Sequence, residues 1–407
     1  VESALGGFEE LPPQLASGAQ VLALVQEEML VAKDEEAVFR WIVRWSEAAE
    51  RPEAELMAVL RHVRFATMEE GFVRDTVRAW PALLSTAGQR VLSTSVAPVV
   101  GGVQPLLRLG FGPRRIYLVG GFERGAPVCT VRAYDPADNS WCEVASMATK
   151  RYSHAAAALG GKLYVIGGTT GDHETLAEAE VYDPKVDSWQ PLPSMPTARQ
   201  SLAAAAVAGK VYAIGGDDEN GHCDAVEAYD PISGAWTQVA SLPVARSSLT
   251  ATVVEGKIYV LGGLSVDPDD EDEVESEATG RVDVYDPAAD SWQQMAAMPT
   301  ARYSHSAAVL DGKIYVTGGD LSTDADEVSD ALEAYDPVSG TWTTLASLGQ
   351  HRGGHASAVA HGRLCVFGGF STRGRMDLVE VYSPASNSWA RKRDLPYPID
   401  ASVAVAL

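Results

Sequence analysis

The chain has 407 residues, 46% of them hydrophobic and 21% charged, with a formal net charge of -23, a globular composition too long for one ordinary domain unless it repeats. Phosphate backbones and anionic headgroups are bound by clustered Lys and Arg, so this charge disfavours nucleic acid and membrane surfaces as partners. The four cysteines, Cys129, Cys142, Cys223 and Cys365, form no CxxC pair, so neither a zinc site nor a disulfide framework is expected.

The chain opens on VESALGGFEE, without Met and without signal-peptide character, so further sequence upstream is expected. No apolar run approaches the ~20 residues of a membrane span. Scattered reduced thiols fit an intracellular protein, cytoplasmic and with access to the nucleus. Residues 1–80 carry helical periodicity: Val38, Trp41, Ile42 and Trp45 form one apolar stripe, and Leu56, Val59, Leu60 and Val63 form another. Asp34 stands where an N-cap is needed, Pro52 suits a first helical turn, and Thr67 with Glu70 reads as a capping box. Residues 81–112, with several Pro and Gly, read as a linker.

From residue 113 the sequence repeats. A Gly pair recurs at 120/121, 167/168, 215/216, 262/263, 318/319 and 368/369, each behind a short apolar strand such as IYLV or VYAI. A Tyr and a Trp then follow, always seven apart, from Tyr134/Trp141 to Tyr382/Trp389, around segments such as YDPADNSW and YDPISGAW. Pro stops one strand there, and Asp, Asn, Ser or Gly turns the chain into the next. Ten residues beyond the first five Trp stand Arg151, Arg199, Arg246, Arg302 and Arg352, each leading into a small-residue strand. The sixth copy has Ile399 at the Arg position. Six innermost strands crowding one axis favour Ala and Ser, so each unit reads as a four-stranded blade. The last residues, ASVAVAL (401–407), read as the missing inner strand of the first blade, closing the ring and removing its open edges.

Six registered copies resemble Kelch repeats, and the run DEEAVFRWIVRWSEAAERPEAELMAVLRHVRFATM resembles the BACK domain of Kelch-like proteins. The resemblance implies an all-β six-bladed Kelch β-propeller over 113–407 with an N-terminal all-α BACK-type helical domain over 1–80. It further implies a protein-interaction module: the client-recognition part of a cullin-RING ubiquitin ligase substrate adaptor, reaching its cullin scaffold through a BTB domain not present in this chain. A cytoskeletal, actin-associated scaffold is the alternative, and a propeller enzyme a remote third.

An enzyme has no named catalytic residue here, since HExxH, GxSxG and P-loop patterns are absent. No cofactor is implied. His154, His305 and His355 each lie thirteen residues after a Trp and read as repeat-position residues with local hydrogen bonds rather than metal ligands. The acidic run DPDDEDEVESE, 267–277, lacks EF-hand spacing and reads as a solvated loop.

Kelch-like proteins are similar to one another in holding a client peptide with residues just after the Gly pair and just after the Arg. Those positions here are Phe122, Thr169, Asp217, Leu264, Asp320 and Phe370, with Tyr152, Gln200, Ser247, Tyr303, Gly353 and Asp400. Phe122, Tyr152, Tyr303 and Phe370 are the expected aromatic anchors. Arg124, Arg373 and Arg375 are expected to add positive charge around Phe122 and Phe370, opposite the acidic loops of the fourth and fifth blades. The short turns at Lys162, Lys210 and Lys257 belong to the other face.

Overall fold

The computed structural model describes residues 42–43 and 115–407, apart from 137, 172–173, 267–275 and 324–326. The chain divides into two compact units, Val1–Gly112 and Pro113–Leu407. In the first, Ile42 and Val43 are helical and Ile42 is buried. The other helix positions, the caps at Asp34 and Thr67, the linker 81–112, and Asp267–Glu275 of the acidic run lie outside the described residues.

The second unit is a β-propeller of six antiparallel four-stranded sheets. Blades two to six each run outward in chain order, blade two for example from Ala155–Leu159 through Lys162–Ile166 and Ala179–Asp183 to Ser188–Leu192. Blade one is assembled from both ends of the unit. Its innermost strand is Val403–Ala406, paired antiparallel with Ile116–Val119 in the register Ile116 to Ala406 and Val119 to Val403. Innermost strands touch in sequence around the axis, and Val403–Ala406 sits between Ala356–Ala360 of blade six and Ala155–Leu159 of blade two.

Why the sequence repeats as it does is visible in the joints. Gly167 has φ +63°, and a Cβ there would stand 2.6 Å from the Arg199 carbonyl, so only Gly fits where one blade's strand ends under the next blade's loop. In the YDP turns, Asp183, Asp230, Asp286 and Asp336 each accept a backbone N–H two residues on, which sets the outer hairpin. Trp Nε1 donates to the preceding blade, as in Trp189 to Ala145 O at 2.7 Å and Trp292 to Ala240 O at 2.9 Å. Around the seam, Trp141 of blade one reaches Arg393 O at 3.4 Å. Where the turn ends in Asn or Asp, the same carboxyl or amide oxygen accepts both the blade's Tyr hydroxyl and a backbone N–H of the previous blade: Asp187 takes Tyr182 at 2.7 Å and Ala145 at 2.8 Å. The apolar faces close between neighbouring blades, Ala155, Ala157 and Tyr164 of blade two packing with Val211, Ala213 and Tyr229 of blade three.

Candidate functional site

At the Gly-pair end of every blade the two groups of candidate residues meet. Tyr152 pairs with Thr169, Gln200 with Asp217, Ser247 with Leu264, Tyr303 with Asp320 and Gly353 with Phe370. Asp400 pairs with Phe122. Each pairing joins the loop that enters an inner strand to the loop leaving the Gly pair of the same blade, so twelve positions between Phe122 and Asp400 form six lips on one face.

The lips differ in what they offer. Phe122 and Tyr152, from adjacent blades, are half-buried and meet edge to face at 5.2 Å between ring centroids. The Arg375 guanidinium lies over the Phe122 ring at 4.5 Å while its Nε donates to Asp400 Oδ1 at 2.7 Å. Blades six, one and two thereby share a continuous ridge of aromatic and guanidinium surface. Tyr303, half-buried in blade five, donates its hydroxyl to Ser322 O at 3.2 Å, and Phe370 covers Gly354, where an added Cβ would meet its ring at 2.9 Å. Arg373 is exposed.

Three candidates do not reach the surface: Thr169, Ser247 and Asp320 are 2%, 1% and 6% exposed, because their bridges turn these short side chains inward. Burial lifts the Asp320 carboxyl to about 6, with a hydrogen bond to Ser304 acting the other way. The Arg124 guanidinium stacks 3.5 Å over the Tyr397 ring. Arg375 does not serve Phe370 alone, since the Asp400 carboxylate pulls it across to blade one.

The central channel encloses a cavity of about 200 Å³ lined by small inner-strand residues and by His154, Leu202, Leu249, His305, His355 and Ser402, one residue from each repeat. His305 Nε2 meets Thr250 Oγ1 at 3.0 Å and His355 Nε2 meets Thr317 Oγ1 at 2.8 Å. Among the described residues, His154 has only the backbone of Val119 beside its ring to answer it. Burial, then the charge of Arg151, holds His154 down to about 3. Burial and Arg302 do the same to His305. These imidazoles are therefore neutral at physiological pH. Among the described residues no three His, Cys, Asp or Glu side chains gather in a way that could hold a metal ion.

Two features escape a reading of the sequence. The repeat arginines face inward: Arg151, Arg199, Arg246, Arg302 and Arg352 are all 0% exposed. Each binds the carbonyl of its blade's first Gly, as Arg199 Nη1 does Gly215 O at 2.9 Å. Each also pairs with a buried carboxylate two residues before the Tyr: Glu180, Glu227, Asp283, Glu333 and Glu380. Desolvation draws Arg246 down to about 10 against the pull of Asp283. Blade one reverses the arrangement, with Ile399 at the Arg position and Arg132 at the carboxylate position, paired instead to buried Glu123 at 2.8 Å. The chain's own repeats carried that signal, since the one unit lacking the Arg also lacks the acid.

The second feature is a hoop of backbone hydrogen bonds around the channel mouth. Ser201 N–H donates to Ser153 O, Ser248 to Ser201, Ser304 to Ser248, Gly354 to Ser304, Ala401 to Gly354, and Ser153 to Ala401, at 2.7 to 3.1 Å. All six residues are left-handed, with φ from 48° to 57°, which turns every N–H and C=O tangentially. The candidate lips are held by this hoop, one residue before each link.

The family model of the KLHDC2/KLHL20/DRC7 Kelch-repeats domain matches residues 111–319 and 241–398. The BACK model, BTB And C-terminal Kelch, matches residues 10–78. Among solved structures, that of YjhT is similar with a TM-score of 0.53 at 16% sequence identity, covering 62% of this chain and 86% of that one. At that identity the likeness speaks for the propeller fold alone.

Proposed function

The chain belongs to the Kelch-repeat family, with a BACK domain ahead of the repeats, and from that premise we propose that its propeller captures a peptide segment of a client protein on behalf of a cullin-RING ubiquitin ligase. Kelch and BACK domains make it a protein-interaction module. The lip face takes the client, and a BTB domain joined to the BACK domain links it to the cullin.

The observation that carries this reading is the pairing of the two loop groups into six lips, with the ridge of Phe370, Arg375, Phe122 and Tyr152 across three of them. Half-buried aromatics on a rigid loop scaffold suit binding, because little ordering remains to be lost when a partner covers them. Covering a full aromatic side chain contributes about 1.5–3 kcal/mol, so each half-buried ring has about half of that still to give. The acidity of the propeller favours a peptide carrying Lys or Arg beside apolar residues.

The test is affinity purification from cells with wild type, with the quadruple variant Phe122→Ala, Tyr152→Ala, Tyr303→Ala, Phe370→Ala, and with an opposite-end variant at Lys162, Lys210 and Lys257. Captured partners should vanish with the quadruple variant at an unchanged melting temperature and survive the lysine changes. Fused behind a BTB domain, wild type should also promote ubiquitination of the captured client. Loss of partners with the lysine variant alone would put the site on the other face, and capture of actin without ubiquitination would make the protein a cytoskeletal scaffold.

A further inference from the structure

Two short hairpins on adjacent blades bring Asp217, the residue just after a Gly pair, together with two side chains that no repeat position predicts. After Gly216 the chain runs out through Asp217–Asp218 and returns through Gly221–His222. Asp217 and His222 stand directly opposite in this ladder, so their side chains share one face, with Nδ1 of His222 2.7 Å from Asp217 Oδ1. The other ring nitrogen, Nε2, lies 2.8 Å from Oγ of Ser276, which blade four supplies just before its strand Glu277–Ala278. Asp217 is fixed from behind by both backbone hydrogen bonds to Gln200, at 2.8 and 3.0 Å. A carboxylate only accepts, so Nδ1 donates to Asp217 and the Nε2 lone pair is left to accept the Ser276 proton. Serine, base and orienting acid then stand at the spacings that nucleophilic catalysis requires.

We propose that Ser276 is a nucleophile toward neutral or cationic carboxylic esters, with His222 as its general base and Asp217 as a positioning residue. Oγ of Ser276 bonds to the ester carbonyl carbon as its proton passes to His222 Nε2. The bond from that carbon to the leaving alcohol oxygen breaks, and the oxygen takes the proton from Nε2. A water molecule, giving a proton to Nε2, then attacks the acyl-serine. The carboxylic acid leaves and Ser276 recovers its proton. Ser276 and His222 are partly exposed, so a small ester can reach them. Charge sets the class: Asp218, Glu219 and Asp224 flank the pair, Glu277 follows the serine, and neither 217–224 nor 276–280 contains Lys or Arg. Anionic esters are repelled from such a site. Asp217 also belongs to a client lip, but labelling of Ser276 needs no client, so failure of this activity and failure of client capture are told apart.

The probe is an uncharged alkyl fluorophosphonate applied to the full chain, with the labelled residue identified by peptide mass spectrometry. Ser276 should be the labelled residue, and His222→Gln should slow labelling by about 100-fold or more, the loss of a positioned general base. Asp217→Asn should slow it and Asp217→Glu should recover part of the rate, because the imidazole loses, and then regains, the carboxylate that fixes its tautomer and orientation. A Ser276→Cys variant covers the case in which His222→Gln disturbs the hairpin: iodoacetamide should alkylate Cys at least about tenfold faster with His222 present, since a neighbouring imidazole promotes the thiolate. Absence of label on Ser276, a labelling rate indifferent to His222→Gln, or equal alkylation of the two cysteine variants would overturn the proposal.

Discussion

Arg199→Met tests whether the buried arginines hold the blades together. Arg199 is fully buried and donates from Nη1 to Gly215 O at 2.9 Å and Ala225 O at 2.6 Å, and from Nη2 to Glu227 Oε2 at 2.7 Å. Glu227 also accepts from Thr197 Oγ1 at 2.8 Å. Methionine fills similar volume but leaves three carbonyls, that of Ala213 included, and a carboxylate in the blade without that donor. Removing one partner of a buried ion pair costs about 3–5 kcal/mol. At about 2 °C per kcal/mol for a domain of this size, the propeller melting temperature should fall by roughly 6–10 °C. Blade one supplies the control logic, because there Ile399 replaces the arginine and Arg132 stands at the acid's position. The double variant Arg199→Met, Glu227→Leu should therefore recover at least about 2 kcal/mol relative to the sum of the single losses, read by a double-mutant cycle from calorimetric melts. Strict additivity, or a fall no larger than that of exposed Arg373→Met, would refute the reasoning.

His154→Leu copies the residue that repeats three and four place at that position. His154 has its folded pKa depressed to about 3, so below ~6.5 the unfolded chain binds a proton that the native state refuses, and stability falls with pH at about 1.4 kcal/mol per unit. The leucine variant should lose that much slope in melts between pH 6 and 4, and an unchanged slope would refute it. Asp320 has the opposite sign: its pKa is raised to about 6, so its stability contribution is full below ~3.9 and is lost as pH rises to 6. Asp320→Asn should then be more stable than wild type at pH 7.5, by up to about 3 kcal/mol, and should lose the advantage near pH 4. Deleting residues 401–407 removes the partner of Ile116–Val119 and two links of the hoop, so the melting temperature should fall further than in Arg199→Met; an unchanged melt would mean that the ring closes without them.

Blades were legible because their joints depend on residues with few substitutes: Gly where no Cβ fits, Trp where an N–H must cross to the preceding blade, Asp-Pro where a hairpin turns. Small inner strands were legible from crowding alone. Direction was harder. An Arg ten residues past a Trp does not show which way it faces until the facing acid is known, and that acid lies 28 or more residues downstream, as Glu227 does from Arg199. At the lips, spacing identified the positions but not which side chains reach solvent: Thr169 and Ser247 turn inward, while Arg124 stacks on Tyr397. The Asp217–His222–Ser276 contact crosses two blades through irregular loops of different length, where no period exists to read.

Blade one also bears on how the propeller comes into being. A chain leaving the ribosome can pair the strands of blades two to six soon after each is made, because their partners are near in sequence. Ile116–Val119 must wait until Val403–Ala406 has emerged, nearly the whole propeller later. Until then its ladder edge is open, and such an edge can pair with a foreign strand. The hoop completes in the same event, since Ala401 links both to Gly354 and to Ser153. The earliest blade to be synthesised is thus the last to be finished, and the slow step of folding should be one long-range closure rather than six similar ones.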